Sequence, residues 1–168
     1  FGKWEEILDM PAPNDPDLYL VTTAICRYAR ALAYAASGDV LSADNEQKLF
    51  KHAFEKVPET RMMFNNKCSD LLKIADSMLM GEIEYRKNNF EAAFKCLTEA
   101  IDNEDSLPYD EPWGWMQPAR HALGALLLEQ GEIERAEAVY KEDLGFDNSV
   151  IRARRHPNNV WSLHGLAE

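Results

Sequence analysis

The densest set of chemically capable side chains lies between residues 102 and 121. Asp102, Glu104, Asp105, Asp110 and Glu111 stand there with Tyr109, Trp113 and Trp115 beside them. Carboxylate oxygens suit hard cations, and aromatic faces attract cationic groups. The spacing is not the D-x-D-x-D-G pattern of a calcium loop. The same stretch also reads as a solvated connection, with Asp110 or Glu111 capping the next helix and Pro112 in its first turn. Arg120 and His121 follow directly. His121 is placed to touch a ligand or act as a base with Glu111; the alternative is a histidine hydrogen-bonded to a neighbouring repeat.

Elsewhere the candidates thin out. Arg152, Arg154, Arg155 and His156 form one basic cluster. It suits an acidic partner or an acidic loop of this chain, or is a solvated segment. His52, with Glu55 three residues on, reads as a solvated helix-face pair, and His164 as a packing residue in a core-facing slot. Cys26, Cys68 and Cys96 are odd in number, with no CxxC or CxxH pair. That spacing predicts reduced, inert thiols and no structural zinc. G-x-S-x-G, a Gly-rich phosphate loop and H-E-x-x-H are all missing. No catalysis, metal or cofactor is expected.

Bulk composition narrows the class further. The chain has 168 residues, 46% apolar and 28% charged, enough for one ordinary domain with its own core. Lys+Arg is 18 against Asp+Glu 29, a net charge of −11. That sign excludes a general binder of nucleic acid or anionic membrane. The longest nearly apolar run, Ala122 to Leu128, is far short of the roughly 20 residues that span a bilayer. A cytoplasmic location is expected. Phe1 opens the chain without a Met and Glu168 closes it inside an apparent helix, so a fragment of a longer protein is expected.

These side chains need elements to hold them, and the elements read as helices. Ala-rich runs such as Tyr28-Ala29-Arg30-Ala31-Leu32-Ala33-Tyr34-Ala35 favour helix and close helix approach. No stretch alternates with period two, so no strands are expected. Helical periodicity recurs over about 3–10, 16–36, 39–56, 68–87, 90–103, 115–129 and 132–144, with a last start at Asn158 or Asn159. The apolar face of the segment 39–56 is read as Leu49, Ala53, Phe54 and Val57. The fold class is therefore all-α, antiparallel helix pairs, about seven helices in total.

The pairs repeat. Gly131-Glu132-Ile133-Glu134-Arg135-Ala136-Glu137-Ala138-Val139-Tyr140 has an apolar residue two after the turn glycine, Ala five after and an aromatic nine after. Asn88-Asn89-Phe90-Glu91-Ala92-Ala93 follows the same pattern, Gly38-Asp39-Val40-Leu41-Ser42-Ala43 matches its first half, and Gly2-Lys3-Trp4 its start. Gly124 and Gly81 each lie seven residues before a turn, and Trp161-Ser162-Leu163-His164-Gly165 reopens the series. This resembles the tetratricopeptide repeat (TPR). The turns lie at 2, 38, 88 and 131, all further apart than the usual ~34 residues, so the connections are lengthened. The resemblance covers nearly the whole chain: half-repeat 1–13, repeats 16–58, 67–105 and 112–145, an insertion 145–156, and half-repeat 157–168. More narrowly, Leu107-Pro108-Tyr109-Asp110-Glu111-Pro112, Arg120-His121-Ala122-Leu123-Gly124 and Pro157-Asn158-Asn159-Val160-Trp161 resemble multi-repeat bacterial and fungal TPR proteins of unassigned function. That likeness transfers no chemistry.

What the resemblance implies is a right-handed superhelix, with Gly81 and Gly124 at close crossings and a concave surface for a protein or peptide partner. In that register the groove would present Ile25, Tyr28, Leu32 and Ala35, then Ala75, Met78, Glu82 and Tyr85, then Pro118, His121 and Ala125. These lack the Lys and Asn clamp that grips a C-terminal carboxylate, and suit an apolar segment of a partner or flanking repeats of the same chain. The expected function is a protein-interaction scaffold. The alternative is a small-molecule or metal-binding module, or an enzyme, at the 109–121 corner. Either way the expected site is Tyr28, Tyr85, Tyr109, Asp110, Glu111, Trp113, Trp115, Arg120 and His121.

Overall fold

The computed structural model describes residues 2–168. A short helix α1 (Trp4–Asp9) precedes three helix pairs: α2 (Leu20–Ala36) with α3 (Val40–Glu55), α4 (Cys68–Arg86) with α5 (Phe90–Asp105), and α6 (Ala119–Glu129) with α7 (Ile133–Leu144). A 3₁₀ turn, Arg152–Arg154, and a last helix α8 (Val160–Ala167) follow. The described residues therefore hold eight α-helices rather than about seven, and the protein is all-α apart from one minimal hairpin.

Three turns set this layout. Gly38, Asn88 and Gly131 take left-handed backbone conformations, with φ of 87°, 64° and 76°. Glycine enters that region freely, and asparagine better than most other side chains. The closure is the same each time. The turn residue's N–H reaches back three residues and the next N–H five, as in Gly38 to Ala35 and Asp39 to Tyr34, every one of the six bonds at 2.9 Å. This is the Schellman ending, which satisfies otherwise orphaned carbonyls.

The small residues seven positions before the turns let each pair close. A Cβ on Gly81 would stand 2.7 Å from Leu97, and one on Gly124 would stand 2.6 Å from the Tyr140 ring. The expected close crossings are therefore present. Successive pairs then pack side by side: α2 and α3 against α4, α5 against α6, and both α6 and α7 against α8. One continuous core runs through Phe50, Leu72, Ile74, Leu79, Ile83, Leu97 and Leu127.

Five expectations need correction. A two-residue antiparallel ladder, β1 (Met62–Met63) and β2 (Asn66–Lys67), exists where no strand was foreseen, because Phe64 adopts a positive φ of 51° and turns the chain. Four residues are too few for an alternation to register. The helix expected from about 115 begins at Ala119, after Pro118, whose missing N–H and fixed φ suit a helix start. Pro112 and Asp110 therefore lie in the loop, not in a cap. In α3 the buried face is Ala43, Glu46, Phe50 and Ala53, while Leu49 is 45% exposed. Glu46 is buried there because Arg27 and Arg30 of α2 both bind its carboxylate. His164 is exposed and pairs with Glu168 at 3.1 Å instead of packing, since α8 buries its Ser162 and Gly165 side. His52 is exposed, as read. The three cysteines are free, with Cys68 buried and the others half-buried.

Candidate functional site

Asp143 is the centre of the 109–121 corner. It sits near the end of α7 with its carboxylate fully buried. His121 of α6 donates from Nε2 to one carboxylate oxygen at 2.9 Å, and the Ser162 hydroxyl of α8 donates to the same oxygen at 2.6 Å. His156 donates from Nδ1 to the other oxygen at 2.6 Å, and its backbone N–H bonds the Asp143 carbonyl at 2.7 Å. Burial alone would raise the Asp143 pKa, but these three hydrogen bonds overcome it and hold the carboxyl well below its usual range. The bonds also fix which nitrogen of each imidazole carries the proton facing Asp143. Trp113 closes the outer side, its ring edge-on to His156 with centroids 4.5 Å apart. One ligand atom from each of His121, Asp143 and His156 lies within 4.8 Å of the others, close enough for a shared metal ion. Ser162 is not an activated nucleophile here, because its hydroxyl faces the carboxylate and no imidazole takes its proton.

The other expected site residues scatter from this centre. Arg120 is buried and forms a two-pronged pair with Asp105, at 2.9 and 2.7 Å, and reaches Glu142 at 3.5 Å. Asp110 is buried too. It accepts from the Asn65 backbone N–H at 3.1 Å and from the Asn66 side chain at 3.2 Å, so it ties the loop to the hairpin. The Tyr109 hydroxyl donates to the exposed Glu111. Trp115 turns inward, its ring 5.9 Å from that of Tyr28 in edge-on contact. Tyr28 is consequently buried, which pushes its hydroxyl pKa well up, with Glu82 adding to the shift. Tyr85 packs on Phe90 and Phe94 and takes a hydrogen bond from Gln130 at 2.6 Å. The structure thus joins Trp113 and His121 through His156 and Asp143, sets Tyr28 with Trp115 and Tyr109 with Glu111, and gives Tyr85, Asp110 and Arg120 separate partners.

Sequence reasoning passed over Asp143 and Ser162 and read His156 only as part of a basic cluster. A signal for Asp143 was present. Ala136, Tyr140 and Asp143 follow one another at helical spacing, so Asp143 falls on the buried stripe of α7. A carboxylate there needs partners.

Glu104 does a different job in the same corner. It comes from the end of α5, is buried, and accepts the Ala119 backbone N–H at 2.8 Å, capping α6 from another helix. Burial pushes its pKa up to about 7 from 4.5, reinforced by Asp105 and opposed by the Ala119 bond, His156 and Arg120. A raised acid pKa contributes stability that is full below pH 4.5 and lost as pH rises towards 7. Wild type should therefore lose about 3 kcal/mol of this contribution between pH 4 and pH 8. Glu104→Gln cannot ionise, so it should gain on wild type over that range. Urea unfolding at both pH values checks this; a wild-type–variant difference independent of pH would contradict it.

Two open clefts flank the core. One, about 640 Å³, lies among Trp113, Leu144, Arg152, Arg155, His156 and Asn159. The other, about 420 Å³, lies between α1 and α2 and is lined by Ile7, Met10, Pro13, Pro16, Ile25 and Cys26. Of the anticipated groove positions, Tyr28, Ala35, Ala75, Met78 and Tyr85 are buried, Leu32, Glu82, Pro118 and His121 are half-buried, and Ile25 and Ala125 are exposed. No described helix is long and apolar enough to cross a membrane. No family model matches the chain, and no curated protein or solved structure matches it.

Proposed function

We propose that the chain is a TPR-like protein-interaction scaffold without catalysis of its own, cytoplasmic, docking a protein or peptide partner through the cleft between α1 and α2. The observation that carries this reading is the cleft itself. It is apolar and open, and its rim holds Met10 at 57% and Ile25 at 36% exposure. Among the register's groove positions, Ile25 keeps its side chain accessible where Tyr28 and Tyr85 do not. The cleft is also rigidly framed. Arg30 donates to the Leu8 carbonyl at 2.6 Å, fastening α1 to α2, and Arg27 and Arg30 are themselves held by Glu46. A preformed apolar cleft loses little entropy when a partner side chain enters it. The corner around 109–121 supports docking less well, because Asp110, Arg120 and Trp115 are engaged by internal contacts.

The test places a photo-crosslinking amino acid at Met10, and for comparison at Leu41, which is 76% exposed on α3. Crosslinking to one discrete partner from Met10 but not Leu41 is expected in the native cell. Ile25→Asp should weaken that capture about tenfold or more, as loss of a buried anchor does, with an unchanged melting temperature. Equal crosslinking from both positions, or insensitivity to Ile25→Asp, would remove the cleft from consideration.

A further inference from the structure

We infer that His121, Asp143 and His156 form a binding site for a divalent transition metal of the zinc class. Three observations carry this. First, the donor set is right. Two imidazoles and a carboxylate suit a borderline ion such as Zn²⁺, and three protein ligands with a fourth position left to water or a hydroxyl is an established arrangement. Second, the donors converge. Their ligand atoms lie within 4.8 Å of one another. The two imidazole nitrogens now face different oxygens of the carboxylate, at 2.9 and 2.6 Å. Ligand atoms at about 2.1 Å from a tetrahedral zinc stand about 3.4 Å apart, so separations within 4.8 Å need to change by at most about 1.4 Å to hold the ion. Third, the ligands come from three separate segments, α6, α7 and the stretch leading into α8. An ion there would staple α8 and its preceding segment to the last helix pair.

The proton balance is simple. Each imidazole now presents N–H to Asp143. On metal binding the nitrogen facing Asp143 offers its lone pair instead, and the proton passes to His121 Nδ1 and His156 Nε2. Neither of those atoms hydrogen-bonds another described residue. The Ser162 hydroxyl, 2.6 Å from the carboxylate, stands ready to orient Asp143 or to complete the shell. A carboxylate that served only as a structural anchor could be satisfied by backbone N–H groups or by arginine. Two imidazoles and a carboxylate brought to one point also match the donor set of three-ligand zinc sites. The net charge of −11 favours a cation further.

Metal-stripped wild type, titrated with Zn²⁺ against a competing chelator, is expected to bind one ion, and Co²⁺ should produce the visible absorption of a four-coordinate nitrogen–oxygen site. His121→Gln and His156→Gln should each weaken Zn²⁺ binding by at least about 100-fold, the top of the range seen for losing a mere outer-shell partner. His52→Gln and His164→Gln should bind as wild type. X-ray absorption at the zinc edge of wild type, which needs no variant to fold, should show two imidazoles. Absence of stoichiometric binding by wild type, equal loss in the His52 and His164 controls, or a zinc edge without imidazole scattering would each overturn the site. None of these readouts involves the α1–α2 cleft, so its failure or success as a docking surface is separate.

Discussion

Gly124→Leu should lower stability by about 3 kcal/mol or more, beyond the usual middle of the range for overpacking, because the residue it strikes has nowhere to go. That residue is Tyr140. Its ring lies against Gly124 of α6 on one side and against Gly165 of α8 on another, and a Cβ at either glycine would collide with it. The ring is buried, so it cannot escape into solvent. In a chain of this length such a loss lowers the melting temperature by about 6–12 °C. Removing the obstacle should relieve the clash. Tyr140→Ala alone should cost about 3–5 kcal/mol through the cavity it leaves, and Gly124→Leu with Tyr140→Ala should cost clearly less than the sum of the two. Strict additivity in urea unfolding would mean the two side chains do not meet as described. An unchanged melting temperature for Gly124→Leu would sink the crossing itself.

Asp143→Ala should be destabilising by about 3–5 kcal/mol, the range for breaking a buried charged network from one side. Three donors lose their acceptor at once: His121 Nε2, His156 Nδ1 and the Ser162 hydroxyl. His156 and Ser162 are buried, so water does not readily replace the carboxylate there. His121→Gln should cost less, about 1–2 kcal/mol, because its side chain is 17% exposed and solvent can compensate. The order matters more than either value. If His121→Gln proved as damaging as Asp143→Ala, the carboxylate would not be the hub. Hydrogen exchange offers a second readout: loss of Asp143 should loosen α8 first, since Ser162 ties that helix to α7.

Much of the framework was legible in one dimension. Gly38, Asn88 and Gly131 marked the turns because a left-handed residue is a local requirement that few residue types meet. Gly81 and Gly124 marked the crossings because a seven-residue offset is two helical turns, and a missing side chain on a buried stripe has to serve close approach. The acidic loop was legible only in outline. Its carboxylates were visible, but whether Asp110 faced a ligand, a helix end or the Asn65–Asn66 turn depended on residues some 45 positions away.

The sequence by itself determined much of what is local: helix-forming segments, the left-handed turns at Gly38, Asn88 and Gly131, the pairing across those turns, and the sign of the molecular charge. Each follows from backbone conformational preference, helical periodicity or a count of ionisable groups, and none needs to know which pair packs against which. The tertiary structure alone decided which polar groups meet. It joined Arg120 to Asp105, turned Trp115 onto Tyr28, and buried both anticipated groove tyrosines, Tyr28 and Tyr85. It also brought His121, Asp143, His156 and Ser162 from separate segments to one point. The physical reason is that a buried charge must find partners wherever packing places donors, and that placement is set by the stacking of whole helices rather than by any neighbour in sequence.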